Sequence, residues 1–168
     1  MKMTEFFSAQ LEREAAATRR ALERVPADRP DWKPHPKSMP LGYLASLVAT
    51  LPSWIALMVN QDEYEMMPEG GSKYEPQHWR TTAELLQMFD QAHAAARAAL
   101  ESTTDAHLLT SWRLLVRGQV VSEQPRHIML ADGVLSHLAH HRGQLTVYLR
   151  LNDVAVPPIY GPSADEGM

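Results

Sequence analysis

The chain has no cysteine among its 168 residues. Disulfides, thiolate metal sites and a cysteine nucleophile are therefore excluded. It has no excess of positive charge either. The formal net charge is -4, and no basic stripe marks a nucleic-acid face or a membrane-surface helix. Long hydrophobic runs are absent too. The most apolar stretch, Leu41 to Val59, is interrupted by Ser46, Thr50, Pro52 and Ser53, and no run reaches the roughly 18 residues of a spanning helix. The opening "MKMTEFFSAQLEREAAATRR" holds no apolar core of a secretory leader, so the expected location is the cytoplasm. Gly-rich phosphate loops, GxSxG and informatively spaced carboxylate pairs are missing, which argues against nucleotide, esterase and glycosidase chemistry.

What is present is helical period. At 45% hydrophobic and 21% charged residues, the composition suits one globular domain over residues 1–168. The spacing predicts four long helices. The first runs from Thr4, a candidate N-cap, to Val25. The second runs from Pro40 to Asn60 with a kink at Pro52. The third covers Thr82 to Ser102, capped by Thr81 or Thr82. The fourth covers Pro125 to Asn152. Between the first two lies "PADRPDWKPHPKSMP", whose prolines forbid a helix and make a stiff crossover. "QDEYEMMPEGGSKYEPQHW" is a second long crossover. "DAHLLTSWRLLVRGQVVSEQP" lacks helical period and reads as a short hairpin turning at Arg117–Gly118. The expected fold class is all-α, a four-helix bundle with long crossover connections.

The fourth helix carries the chemistry, in "SHLAHHRGQLTVYLRL". On a wheel with His137 at zero, His141 falls at about 40°, Leu130 and Tyr148 at about 20°, and Val134 and Leu145 at about 60–80°. Both histidines thus enter the apolar stripe. Burying an imidazole without a partner costs about 1–3 kcal/mol. Two imidazoles one turn apart can instead meet one divalent ion, or each can hydrogen-bond a neighbouring helix. Gln144 falls close to the pair and is a candidate to hydrogen-bond an imidazole or a metal-bound water. Arg142 lies at about 140°, where a surface salt bridge and a functional role are equally open. Tyr148 reads as core. His35, His78 and His107 fall in loops and read as solvated.

The strings "HLAHHRGQLTVYLRL" and "NDVAVPPIYGPSADE" resemble the C-terminal signature of the DinB/YfiT-like superfamily. "WKPHPKSMPLGYLASLVATLPSW" and "AELLQMFDQAHAAARAALESTTDAHL" extend the resemblance over essentially the whole chain. It implies a four-helix bundle, commonly a homodimer. It also implies a divalent metal, zinc or nickel, held by three histidines. Two of these match His137 and His141. The third would fall in "LGYLASL", at Leu47, which has no donor atom. His93 is the best-placed replacement. The implied activity is that of a metal-dependent S-transferase or hydrolase acting with a low-molecular-weight thiol, which fits a chain without cysteine. The other reading is a non-catalytic dimeric bundle that binds no metal, or only a small apolar ligand. Neither nucleic acid nor a membrane is an expected partner.

Overall fold

The computed structural model describes residues 1–71 and 78–167. The end of the second crossover, residues 72–77, lies outside the described residues.

Helix α1 (Met3–Leu22) is expected to start at Thr4 with that residue's own side chain as cap. Its cap comes from elsewhere: the Asp105 carboxylate accepts the backbone N–H groups of Met3 and Thr4, each at 3.0 Å. Asp105 opens the short helix α5 (Asp105–Leu108), so this contact ties the two segments together. These hydrogen bonds, that to Thr4 first, hold the Asp105 carboxyl below its ordinary value. A depressed carboxyl stabilises the fold above its unfolded pKa, and the gain is lost as pH falls through the folded value. Asp105→Asn should therefore melt below the native chain near pH 6, and the difference should shrink as pH falls through the folded carboxyl value. Thermal melts of both proteins across that range are the check.

The expected second helix is two. Helix α2 (Leu41–Thr50) and helix α3 (Ser53–Asn60) meet at Leu51–Pro52 with a 49° bend. Pro52 has no N–H to continue the ladder, and beside the break Thr50 Oγ1 and Ser53 Oγ donate back to the Ser46 and Thr50 carbonyls of α2. Among the described residues no single helix is long and apolar enough to cross a membrane; the α2–α3 pair is so only when its two bent halves are taken together. Helix α4 (Thr82–Ser102) has its expected bounds. Thr81 caps it by accepting the Glu84 N–H at 3.2 Å. It packs against α1, α2 and α3.

The all-α expectation needs correction. Among the described residues, β1 (Glu63–Met67), β2 (Ser111–Val116) and β3 (Gln119–Pro125) form a three-stranded sheet in that order. The β2–β3 pair is the expected hairpin. Arg117 and Gly118 both take positive φ, 52° and 70°, the backbone twist that a tight hairpin requires. Strand β1 lies in the acidic crossover and pairs parallel to β2.

The fourth helix is continuous but not uniform. Helix α6 (Arg126–Met129) leads into a π-helical segment, Leu130–Ser136, and then helix α7 (His137–Leu151). Arg126 is 1% exposed. Its guanidinium reaches the carbonyls of Met58, Gln61 and Ser111, the Thr110 hydroxyl, and the Asp62 carboxylate at 2.5 Å. It thereby pins the end of α3 and the entries to β1 and β2 around one cation. Nothing in the periodicity marks this residue, because the partners come from two distant stretches, residues 58–62 and 110–111.

Candidate functional site: a methionine-lined cavity ending on a histidine pair

The bend between α2 and α3 leaves a space that the sheet covers. This cavity is about 550 Å³, within the range that holds small-molecule ligands. Leu47, Leu51, Trp54 and Met58 line it from the α2–α3 side, and Trp112 and Leu114 from β2. His137 and His141 line it from α7.

The two imidazoles face each other, with Nε2 atoms 2.7 Å apart and ring centroids 4.5 Å apart. His137 Nδ1 lies 3.3 Å from the Gly133 carbonyl. A carbonyl can only accept, so this nitrogen carries the proton. His141 Nδ1 lies 2.8 Å from Gln144 Oε1 and donates to it. Both Nε2 atoms then present lone pairs to each other. Turning the Gln144 amide over reverses the His141 tautomer and lets its Nε2–H donate to His137. The pair is thus self-satisfied in one amide orientation and offers two bare donors in the other. Burial holds the His141 pKa below its ordinary value, the Gln144 hydrogen bond partly offsets this, and His137 and His140 add to the lowering. The neutral form of His141 is thereby favoured.

Placement of the other expected residues varies. Leu47 lines the same cavity as the pair, so the position where the resemblance implies a third ligand does turn toward the other two. His93 does not. It stacks on Phe89, and its Nε2 lies 3.2 Å from the Glu12 carboxylate on α1. Tyr148 is core, as expected, with its hydroxyl donating to the Met39 carbonyl at 3.1 Å. His107 is not solvated: it is half-buried, its Nε2 2.9 Å from the Val59 carbonyl.

Two placements on the wheel also change. His137 is exposed at the cavity mouth, while His141 is only 8% exposed. Arg142, open to a surface reading, is 1% exposed. Its guanidinium pairs with Glu14 of α1 at 2.6 Å and bonds Thr18 Oγ1 at 3.0 Å and the Tyr160 hydroxyl at 2.5 Å. Tyr160 in turn donates to Glu14 at 2.8 Å. This closed triangle straps the C-terminal tail to α1. Asp165 extends the strap through both guanidinium nitrogens of Arg150, at 3.0 and 2.5 Å. Arg142 and the YGPSAD string are therefore joined structurally, away from the cavity.

The donor set can be tested against the divalent metal that the resemblance implies. A catalytic zinc site uses three protein ligands plus water. Here there are two, with a leucine where the third would stand. Among the described residues no three His, Asp or Glu side chains are grouped to hold an ion. The residues do not fit that site.

Known proteins agree with the fold. The family model of the DinB family matches residues 2–167. An uncharacterized Bacillus subtilis protein, YrdA, is 34% identical over 80 residues, which is 46% of this chain and 45% of YrdA. The match thus spans under half of that relative's length. The crystal structure of a DinB-like protein from Bacillus cereus superposes with a TM-score of 0.72 at 21% identity, covering 93% of this chain and 97% of that one. A DinB-like protein of Bacillus subtilis, YjoA, gives 0.68 at 19% identity, covering 96% of this chain and 99% of its own. With the family match spanning nearly every residue from the first helix to the Tyr160 strap, this chain belongs to the DinB family.

Proposed function

We propose that this DinB family chain binds a small apolar molecule in the cavity between the α2–α3 bend and the sheet, with the histidine pair at its polar end. The observation that carries this reading is Leu47. A donor there would complete a metal site; an isobutyl group there instead extends the apolar wall. The pair needs no metal to be satisfied, because one orientation of the Gln144 amide gives it an internal hydrogen bond.

The test uses a neutral fluorescent probe, N-phenyl-1-naphthylamine, titrated into the native chain. Saturable binding of one probe per chain is expected, with Kd near 10 μM, or about -7 kcal/mol. Leu47→Trp fills the cavity and should weaken binding at least about tenfold. Absence of saturable binding to the native chain would sink the reading, as would equal affinity in the variant.

The second reading is a metal-dependent S-transferase or hydrolase acting with a low-molecular-weight thiol. The convergence of the two Nε2 atoms favours it. Stoichiometric zinc or nickel in native protein purified without tag or chelator would put it first.

A further inference from the structure

One polar group beside the cavity is served by no described residue. Trp112 lines the cavity from β2 and is 0% exposed. Its indole Nε1–H has no hydrogen-bond partner among the described residues. A buried N–H without an acceptor is costly, and native chains keep few of them. The other buried members of its core cluster carry only hydrocarbon or, at Met58, a thioether. The cavity is therefore the side from which a strong acceptor can arrive. The donor is also held in place in advance, because β2 is fixed in its ladder with Trp112 opposite Gln124 of β3.

We propose that the ligand of this cavity is a neutral aromatic molecule carrying an uncharged oxygen acceptor, an aryl ketone being the simplest, and that Trp112 Nε1–H donates to that oxygen. The inference rests on the apolar-ligand reading above and adds the group by which the ligand is recognised. An indole nitrogen only donates, so the ligand must accept. Among the described residues no Lys, Arg, Asp or Glu lines the cavity, so an ionised ligand would lose its hydration and gain no counter-charge. Five of the chain's nine methionines and two of its four tryptophans line the space. Thioethers adapt to the outline of a ring and make favourable contacts at its edge, and indole rings pack on it in offset or edge-on fashion. A molecule of the same shape without the oxygen leaves the donor unpaired, and such a site rejects it.

The test compares 2-acetylnaphthalene with 2-isopropenylnaphthalene, in which a methylene replaces the carbonyl oxygen at nearly the same shape. Both are titrated into the full native chain and into Trp112→Phe. The ketone should bind the native chain at one per chain. The ratio of ketone to hydrocarbon affinity should fall at least about tenfold in the variant. Comparing ratios cancels the greater hydrophobicity of the hydrocarbon and the space that the smaller ring leaves. Nitrogen-15 labelling of the native chain gives a second reading that needs no change at position 112. The indole N–H signals of Trp32, Trp54 and Trp79 are identified by single substitutions to Phe, which leaves that of Trp112. It should move downfield with the ketone much further than with the hydrocarbon. An unchanged affinity ratio in Trp112→Phe overturns the inference, as does a Trp112 signal that responds alike to both compounds while both bind. Either result leaves the apolar-ligand reading standing. Binding of neither compound to the native chain overturns both.

Discussion

Leu47→His should purify with close to one zinc or nickel per chain, while the native chain should come out almost empty of both. Leu47 lines the same cavity as His137 and His141, and the substitution adds a third imidazole on the facing helix. Even the residues that merely orient a metal ligand are worth about 10–100-fold in affinity. A direct third ligand should exceed that, so a gain above about a hundredfold is expected. Leu47 is half-buried, so the polar ring can keep contact with water when no ion is bound. The measurement is elemental analysis of both proteins, purified without affinity tag or chelator. Metal in the variant alone means that this chain differs from a divalent-metal protein by one side chain. Stoichiometric metal in the native chain means that a donor other than position 47 completes the site. If both are empty, the two Nε2 atoms are not metal ligands for these ions.

Arg142→Met should cost about 3–5 kcal/mol of stability. The loss comes from what stays behind. Glu14 is 6% exposed, and without the guanidinium its carboxylate is a buried charge left with the Tyr160 hydroxyl at 2.8 Å and the more distant, exposed Arg13 at 4.0 Å. In a domain of this size the loss corresponds to a fall in Tm of roughly 6–20 °C. The tail should loosen as well, because Tyr160 loses the group that it bridges. Glu14→Leu combined with Arg142→Met removes both charges together, and such paired replacement is often neutral or stabilising. The double variant should recover most of the lost Tm. Differential scanning calorimetry of the two single variants and the double settles it. A single variant with an unchanged Tm would mean that the ion pair contributes nothing to stability.

How much could be read in advance follows from how far apart the partners lie. Helix α4 was legible to the residue, since its period and its Thr81 cap are both local. The spacing of His137 and His141 and the hairpin at Arg117–Gly118 are local too. Arg142 shows the opposite case. Counting from His137, Leu138 and Leu149 fall at about 100° and 120°, and both are buried. They move the centre of the buried stripe toward Leu145, which leaves His137 at its edge and takes Arg142 in. Weighting these two leucines would have placed both residues correctly. The methionine wall is a harder case. Its five members, Met39, Met58, Met66, Met67 and Met129, come from the first crossover, α3, β1 and α6, and no window of the sequence holds more than a few of them. Strand β1 was lost for the same reason: EYEMM has a partner only in β2. Asp105 capping α1 is a further contact between distant segments.

That parallel pairing has a kinetic consequence. Glu63 sits opposite Arg113, so the β1–β2 ladder closes a loop of about fifty residues, at an entropic cost of roughly 3–4 kcal/mol. The β2–β3 hairpin and the long helices need no such closure and form within microseconds. Contacts of high sequence separation form slowly. The docking of β1 is therefore expected after the hairpin and the helices have formed. The cavity takes two of its methionines, Met66 and Met67, from β1, so it exists only once that strand has arrived. Refolding followed at Trp54, which packs edge-on against Tyr64 of β1 with ring centroids 5.3 Å apart, should lag behind the recovery of helical circular dichroism. The cavity is in this sense a late product of the folding reaction.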